Sequence, residues 1–193
     1  MPEVQISSIR QNLPASVGYT TGKYYSPSLV AGQRSANNLT QAIDHFVPLI
    51  LRRSVTVDRL ALYNTTAVTV NFRLGIYADN GGGHPGSLLV DSGQITTSGS
   101  AGDNVATISQ ALTANTLYWL AFNVDTTAQF ETIANVSGAS GLHADVADFA
   151  TVAQPALGFI IHSAARAYAA FPSTASAVDG GQLAAPRIRW RVA

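Results

Sequence analysis

Two acidic loops and one basic segment hold the residues with the most obvious chemical potential in this chain. Asp79 and Asn80 open the run Asp79-Asn80-Gly81-Gly82-Gly83-His84-Pro85-Gly86, and Asp91 follows in Asp91-Ser92-Gly93. Asp79, Asn80 and Asp91 offer the oxygen ligands that calcium takes, so a structural calcium is the one cofactor these residues bring into question. The calcium-loop spacing of a helix–loop–helix site is absent, however, and Asp and Asn are ordinary turn formers. The expectation is no metal site and no cofactor. His45, His84, His143 and His162 are far apart and share no ligand spacing. Glu3 and Glu131 are the only glutamates, and no aspartate pair stands out for glycosidase chemistry. With no cysteine there are no disulfides, thiolate zinc sites or cysteine nucleophiles. Serines occur without a Gly-x-Ser-x-Gly elbow. The triple glycine lacks the Lys-Ser/Thr that completes a phosphate cradle. These absences point to a chain that is not an enzyme.

Residues suited to contact another protein are easier to find. Arg187, Arg189 and Arg191 alternate with Ile188, Trp190 and Val192, which puts three guanidinium groups on one face of a strand. Such a stripe is either a solvated edge or a contact to an acidic protein surface or a neighbouring subunit, where arginine is favoured. Tyr19, Lys23, Tyr24 and Tyr25 crowd into one polar, turn-prone segment and suit docking on a partner. Eleven basic residues balance eleven acidic ones, which argues against nucleic-acid binding and a polybasic membrane anchor. Charged residues make up only 11% of the 193, against about 25% in an average soluble domain. Hydrophobic residues make up 47%. A surface so poor in charge is expected to meet other protein, as a homo-oligomer. No signal peptide is visible, and no apolar run approaches a membrane span.

The elements that must carry these residues are strands. Val68, Val70, Phe72, Leu74 and Ile76 alternate with polar neighbours, the period of a half-buried strand. Leu117 to Val124 is apolar on both faces and reads as a central strand. Further strands are expected over 46–51, 55–63, 88–96, 105–112, 130–136 and 157–163 and at the C-terminus. The apolar parity of 55–63 switches near Asp58-Arg59, which predicts a bulge. Pro85-Gly86 predicts a tight turn, and Asp91-x-Gly93 a side-chain-stabilised one. About nine short strands make an all-β chain, a β-sandwich of jelly-roll type. Residues 1–44 are read as an extended N-terminal arm that docks elsewhere, and 45–193 as the sandwich domain. One helical turn is sketched over 37–46, a short helix or irregular loop over 138–155, and a long surface loop over 164–185.

One block carries a resemblance. Arg73-Leu74-Gly75-Ile76-Tyr77, the acidic glycine loop, Pro85-Gly86, Asp91-Ser92-Gly93 and Leu112-Thr113-Ala114-Asn115-Thr116-Leu117-Tyr118-Trp119-Leu120-Ala121 follow one another in order. This resembles a β-sandwich module of tailed-bacteriophage virion proteins, both capsid-decorating and tail-fibre-like. Gly22 to Pro27 and Phe46-Val47-Pro48 are similar to its lead-in. The resemblance spans about residues 18 to 125. Asn115 stands where the family usually has Gly, and Asn tolerates the positive φ required. The resemblance implies a structural virion protein, assembled in the host cytoplasm. Its expected form is a trimeric capsid decoration (cement) protein that binds the major capsid protein or other virion proteins. The alternatives are a receptor-binding tail-fibre module and a carbohydrate-binding module, either of which would take a glycan.

Overall fold

The computed structural model describes residues 18–27, 34–133, 162–176 and 185–193. In chain order the strands are β1 (Tyr24–Tyr25), β2 (Arg34–Leu39), β3 (Ile43–Ile50), β4 (Val55–Asn64), β5 (Asn71–Asp79) and β6 (Pro85–Thr96). They continue with β7 (Gly102–Leu112), β8 (Leu117–Val124), β9 (Ala128–Ile133), β10 (His162–Ala165), β11 (Ala185–Pro186) and β12 (Arg189–Val192). All pairings are antiparallel, and the strands form two sheets. The smaller sheet runs β10-β3-β8-β5-β6. The larger holds β2, β9, β4 and β7, with β1, β11 and β12 added. Its β2-β9-β4-β7 layer facing β3-β8-β5-β6 is the strand order of a jelly roll, two Greek keys folded into a sandwich.

The C-terminal segment makes this jelly roll unusual. β9 and β4 meet directly only at Asn64–Phe130. Between them enters a wedge: β11 pairs with the end of β9, then β12 pairs with Val57 to Ala61 of β4. β1 adds to the far side of β12, so both described ends of the chain lie in one sheet.

Period-2 alternation sorts the side chains into two layers. Phe72, Leu74 and Ile76 of β5, Leu120 and Phe122 of β8, Leu60 and Leu62 of β4, Phe130, Ile188 and Trp190 fill the space between the sheets. The other face of β3, β8 and β5 is also apolar, with Phe46, Trp119, Ala121 and Tyr77. It escapes water because residues 166–176 cross it as a strap. Phe171 packs on Tyr77, and the Tyr77 hydroxyl donates to the Pro172 carbonyl at 2.9 Å. At the far edge of the sheet Leu88 N donates to Ser173 O and Ala175 N to Gly86 O, both at 2.8 Å.

Several local expectations meet their cause here. The β4–β7 ladder shifts register between Val57 and Arg59, the bulge at Asp58. Asn115 adopts φ 56°. Gly75 sits at a register shift, and a Cβ there would meet the Phe171 ring at 3.0 Å. Asp91-Ser92-Gly93 is the expected side-chain-stabilised turn, carried as a bulge within β6: Asp91 Oδ1 accepts from Gly93 N at 2.8 Å. Three expectations need correction. Residues 37–46 form the end of β2, a tight turn and the start of β3 rather than a helical turn, because Phe46 and Leu39 face different layers. Pro85-Gly86 starts β6, and the turn before it is made by residues 80–84. The boundary at 44/45 falls inside β3, and the described parts of residues 18–44 belong to the sandwich. The region 138–155 lies outside the described residues.

Candidate functional site

The arginine-bearing strand and the tyrosine segment come together. β1 pairs with β12 in the register Tyr24–Arg191 and Tyr25–Trp190. Trp190 points into the core and is roofed by Tyr25, stacked at 5.0 Å between centroids, and by Tyr19, edge-on at 4.9 Å. Tyr19 and Tyr25 therefore serve this chain's own core. Their hydroxyls accept from backbone, Arg52 N at 3.3 Å for Tyr19 and Thr20 N at 2.6 Å for Tyr25. Tyr24 is 41% exposed and lies beneath the Arg191 guanidinium, 5.8 Å from its centroid, with Lys23 exposed beside it. Lys23 N and Gly22 N close the turn by donating to Thr20 O and Val192 O.

The three arginines are bound within the chain. Arg187 reaches Glu131 of β9 at 2.7 Å, and Arg189 donates to the same carboxylate. Arg189 also meets Asp103 of β7 at 2.9 Å. Arg191 grips Asp58 of β4 with two bonds, one at 2.9 Å, and this pairing holds the Asp58 carboxyl below its ordinary range. Glu131 is 1% exposed, so the guanidinium groups roof it. The stripe thus ties the C-terminal wedge to both strands it separates. What this face leaves to a partner is a rim of Lys23, Tyr24 and partly exposed guanidinium edges.

The calcium candidates are turn formers in the structure. Asp79 Oδ2 accepts from Gly81 N at 2.8 Å and Gly83 N at 3.3 Å, while its Oδ1 accepts from the Trp119 indole at 3.0 Å. Asn80 Oδ1 accepts from Gly82 N at 2.8 Å. Asp91 lies in another network: its Oδ2 accepts from Arg73 and from Phe171 N, both at 3.0 Å. Among the described residues no three of His, Asp and Glu gather as metal ligands.

Sequence reasoning missed a fully buried carboxylate on the opposite sheet. Asp44, with no exposure, accepts from Arg166 Nε at 2.5 Å, Arg166 Nη2 at 2.9 Å and Asn123 Nδ2 at 2.6 Å. Burial pushes its carboxyl up against the pull of Arg166 and Asn123. Arg166 also covers the Phe171 ring at 5.3 Å and reaches the Ala170 carbonyl at 3.2 Å, so the pair anchors the strap. The one signal was an acid at the head of an apolar run; its partner lies 122 residues away. Next to it, His45 points into the inner layer at 1% exposure against Phe122. Neither of its ring nitrogens meets a partner of ordinary geometry, and burial depresses its pKa to about 4, with only the Thr40 backbone pulling the other way.

No family model, curated protein or solved structure matches the chain.

Proposed function

We propose that this chain is a structural protein of a tailed-phage virion: a non-enzymatic decoration protein that binds and stabilises the capsid surface, as a homotrimer. The supporting observation is where its chemistry-bearing groups go. Arg166, Arg187, Arg189 and Arg191 are each paired with a carboxylate of the same chain, and Asp79, Asn80 and Asp91 are bonded to its own backbone. Polar groups spent in this way stiffen a fold and leave little to act on a substrate. The jelly roll is used by viral capsid and lectin domains alike, which is support by analogy of fold. The resemblance of the motif block to virion modules supports the virion reading over a carbohydrate-binding module of an enzyme.

Cosedimentation with undecorated capsids of the phage that encodes the chain tests this. Saturable binding at a fixed number of copies per capsid, with a raised capsid melting temperature, is the expected result. Absence of capsid binding together with saturable binding to a host surface glycan would replace it by the receptor-binding reading.

A further inference from the structure

The long strands that end the two sheets are not equally protected. β10 is only four residues long. β6 is longer, but its ladder to β5 shifts register three times, and the strap bonds its outer edge at Gly86 and Leu88. β2 has six residues and begins on Arg34. β7 differs from these in degree: its ladder to β4 shifts register only once, where Ile108 and Ser109 lie opposite Asp58. It runs for eleven residues, and β4 is its one strand partner among the described residues. Alternate backbone N–H and C=O groups along its other edge therefore point away from the sheet. Past Asp103, its one charged residue, it carries no charge and no Pro, the residues with which edges are usually blunted. Its outward row is Asp103, Val105, Thr107, Ser109 and Ala111, all exposed, with Val105 at 46%.

We propose that β7 pairs antiparallel with β7 of a second copy of this chain, about a two-fold axis through Thr107. The strand is complementary to itself in that register. Thr107, the midpoint of Gly102–Leu112, opposes its own counterpart, and Thr–Thr is a favourable cross-strand pair. Val105 then opposes Ser109, and Asp103, the only charge, opposes Ala111. No like charges meet. In the other row Asn104 opposes Gln110 and Ala106 opposes Ile108. The pairing satisfies the outward backbone groups and continues the larger sheet into the partner, an isologous contact. It goes beyond the virion reading, because the edge belongs to the fold whatever surface the protein coats. A trimer formed through other surfaces would be joined to a second trimer by the same contact.

The absence of cysteine allows a direct test. In Thr107→Cys the two thiols of a pair lie directly opposite, where Cα atoms are about 4.5–5.5 Å apart, within the span of a disulfide. In Ala111→Cys the two thiols would be eight residues out of register, about 27 Å apart. Under one mild oxidation, Thr107→Cys is expected to become a covalent dimer and Ala111→Cys is not. An equimolar mixture of Val105→Cys and Ser109→Cys should give mainly the mixed dimer. Equal yields from Thr107→Cys and Ala111→Cys, or none from either, would overturn the proposal. Sedimentation supplies the second readout. Thr107→Lys and Thr107→Glu should each halve the wild-type assembly, and mixing the two should restore it. A wild-type chain that stays monomeric at its highest soluble concentration, or a trimer indifferent to Thr107→Lys, would also exclude the contact. The indifferent trimer would leave the capsid reading standing.

Discussion

Glu131 holds two arginines of the closing segment at one buried carboxylate. In Glu131→Ala, Arg187 and Arg189 lose that anchor, but both are about a quarter exposed and can turn to water. The loss should therefore fall below that of a fully buried pair, at about 2 kcal/mol in urea unfolding. His45 sets an acid limit of a different kind. Its folded pKa of about 4 lies below the ordinary 6.5, so its contribution is present above pH 6.5 and lost as pH falls towards 4. The difference corresponds to about 3 kcal/mol. His45→Leu removes the titrating group, so its stability should fall less than that of wild type between pH 7 and pH 4. Parallel pH profiles for the two proteins would show that His45 is not responsible.

At the scale of elements, the strap and the tyrosine segment are both lids on apolar surface. Arg166→Ala would leave the Asp44 carboxylate buried and unpaired, costing about 3–5 kcal/mol at pH 7. Because the Asp44 pKa is raised, its protonated form is the better tolerated one: the favourable contribution belongs to low pH and is lost as pH rises through the folded value. The deficit of Arg166→Ala should therefore narrow as pH is lowered, measured as the gap between variant and wild type so that His45 cancels. Phe171→Ala tests the lid apart from the ion pair. It should expose Tyr77 and cost about 3 kcal/mol. On the larger sheet, deleting residues 1–27 removes Tyr19 and Tyr25 from Trp190. Melting should then fall clearly below wild type even with no capsid present. An unchanged melting temperature would mean that the tyrosines serve only a partner.

The whole molecule is closed late in the chain. β12 supplies Trp190 and Val192 to the core and stands beside β4, while β11 stands beside β9. Among the described residues before 185, none stands between those strands in place of Ile188 or Trp190. A chain ending at residue 184 should therefore show no cooperative unfolding transition by calorimetry or near-ultraviolet circular dichroism. Pairings such as β1 with β12 and β2 with β9 also give the fold a high contact order, so refolding of the full chain should take milliseconds to seconds or longer. A truncated chain with a sharp native-like melt would show that the wedge is an accessory to the sandwich.

Alternation determined several of the strands, because the two-residue period of a pleated strand is written in neighbouring side chains. β5, the parity of β12 and the bulge at Asp58 were legible in this way; β8 was read from a run apolar on both faces, and the positive φ of Asn115 from the resemblance. What alternation cannot contain is the identity of the surface opposite. Leu117 to Val124 announced burial on both faces, but only the fold shows that a strap tied by Asp44 and Arg166 covers the second face. Arg187, Arg189 and Arg191 announced a charged face, but the carboxylates that meet them come from three other strands. The tyrosines announced docking, and the surface that Tyr19 and Tyr25 dock on is their own Trp190. In each case the sequence determined that a group needs a partner, since buried charge and exposed aromatic area are costly. The tertiary structure decided which partner, because only folding brings together residues dozens to more than a hundred positions apart.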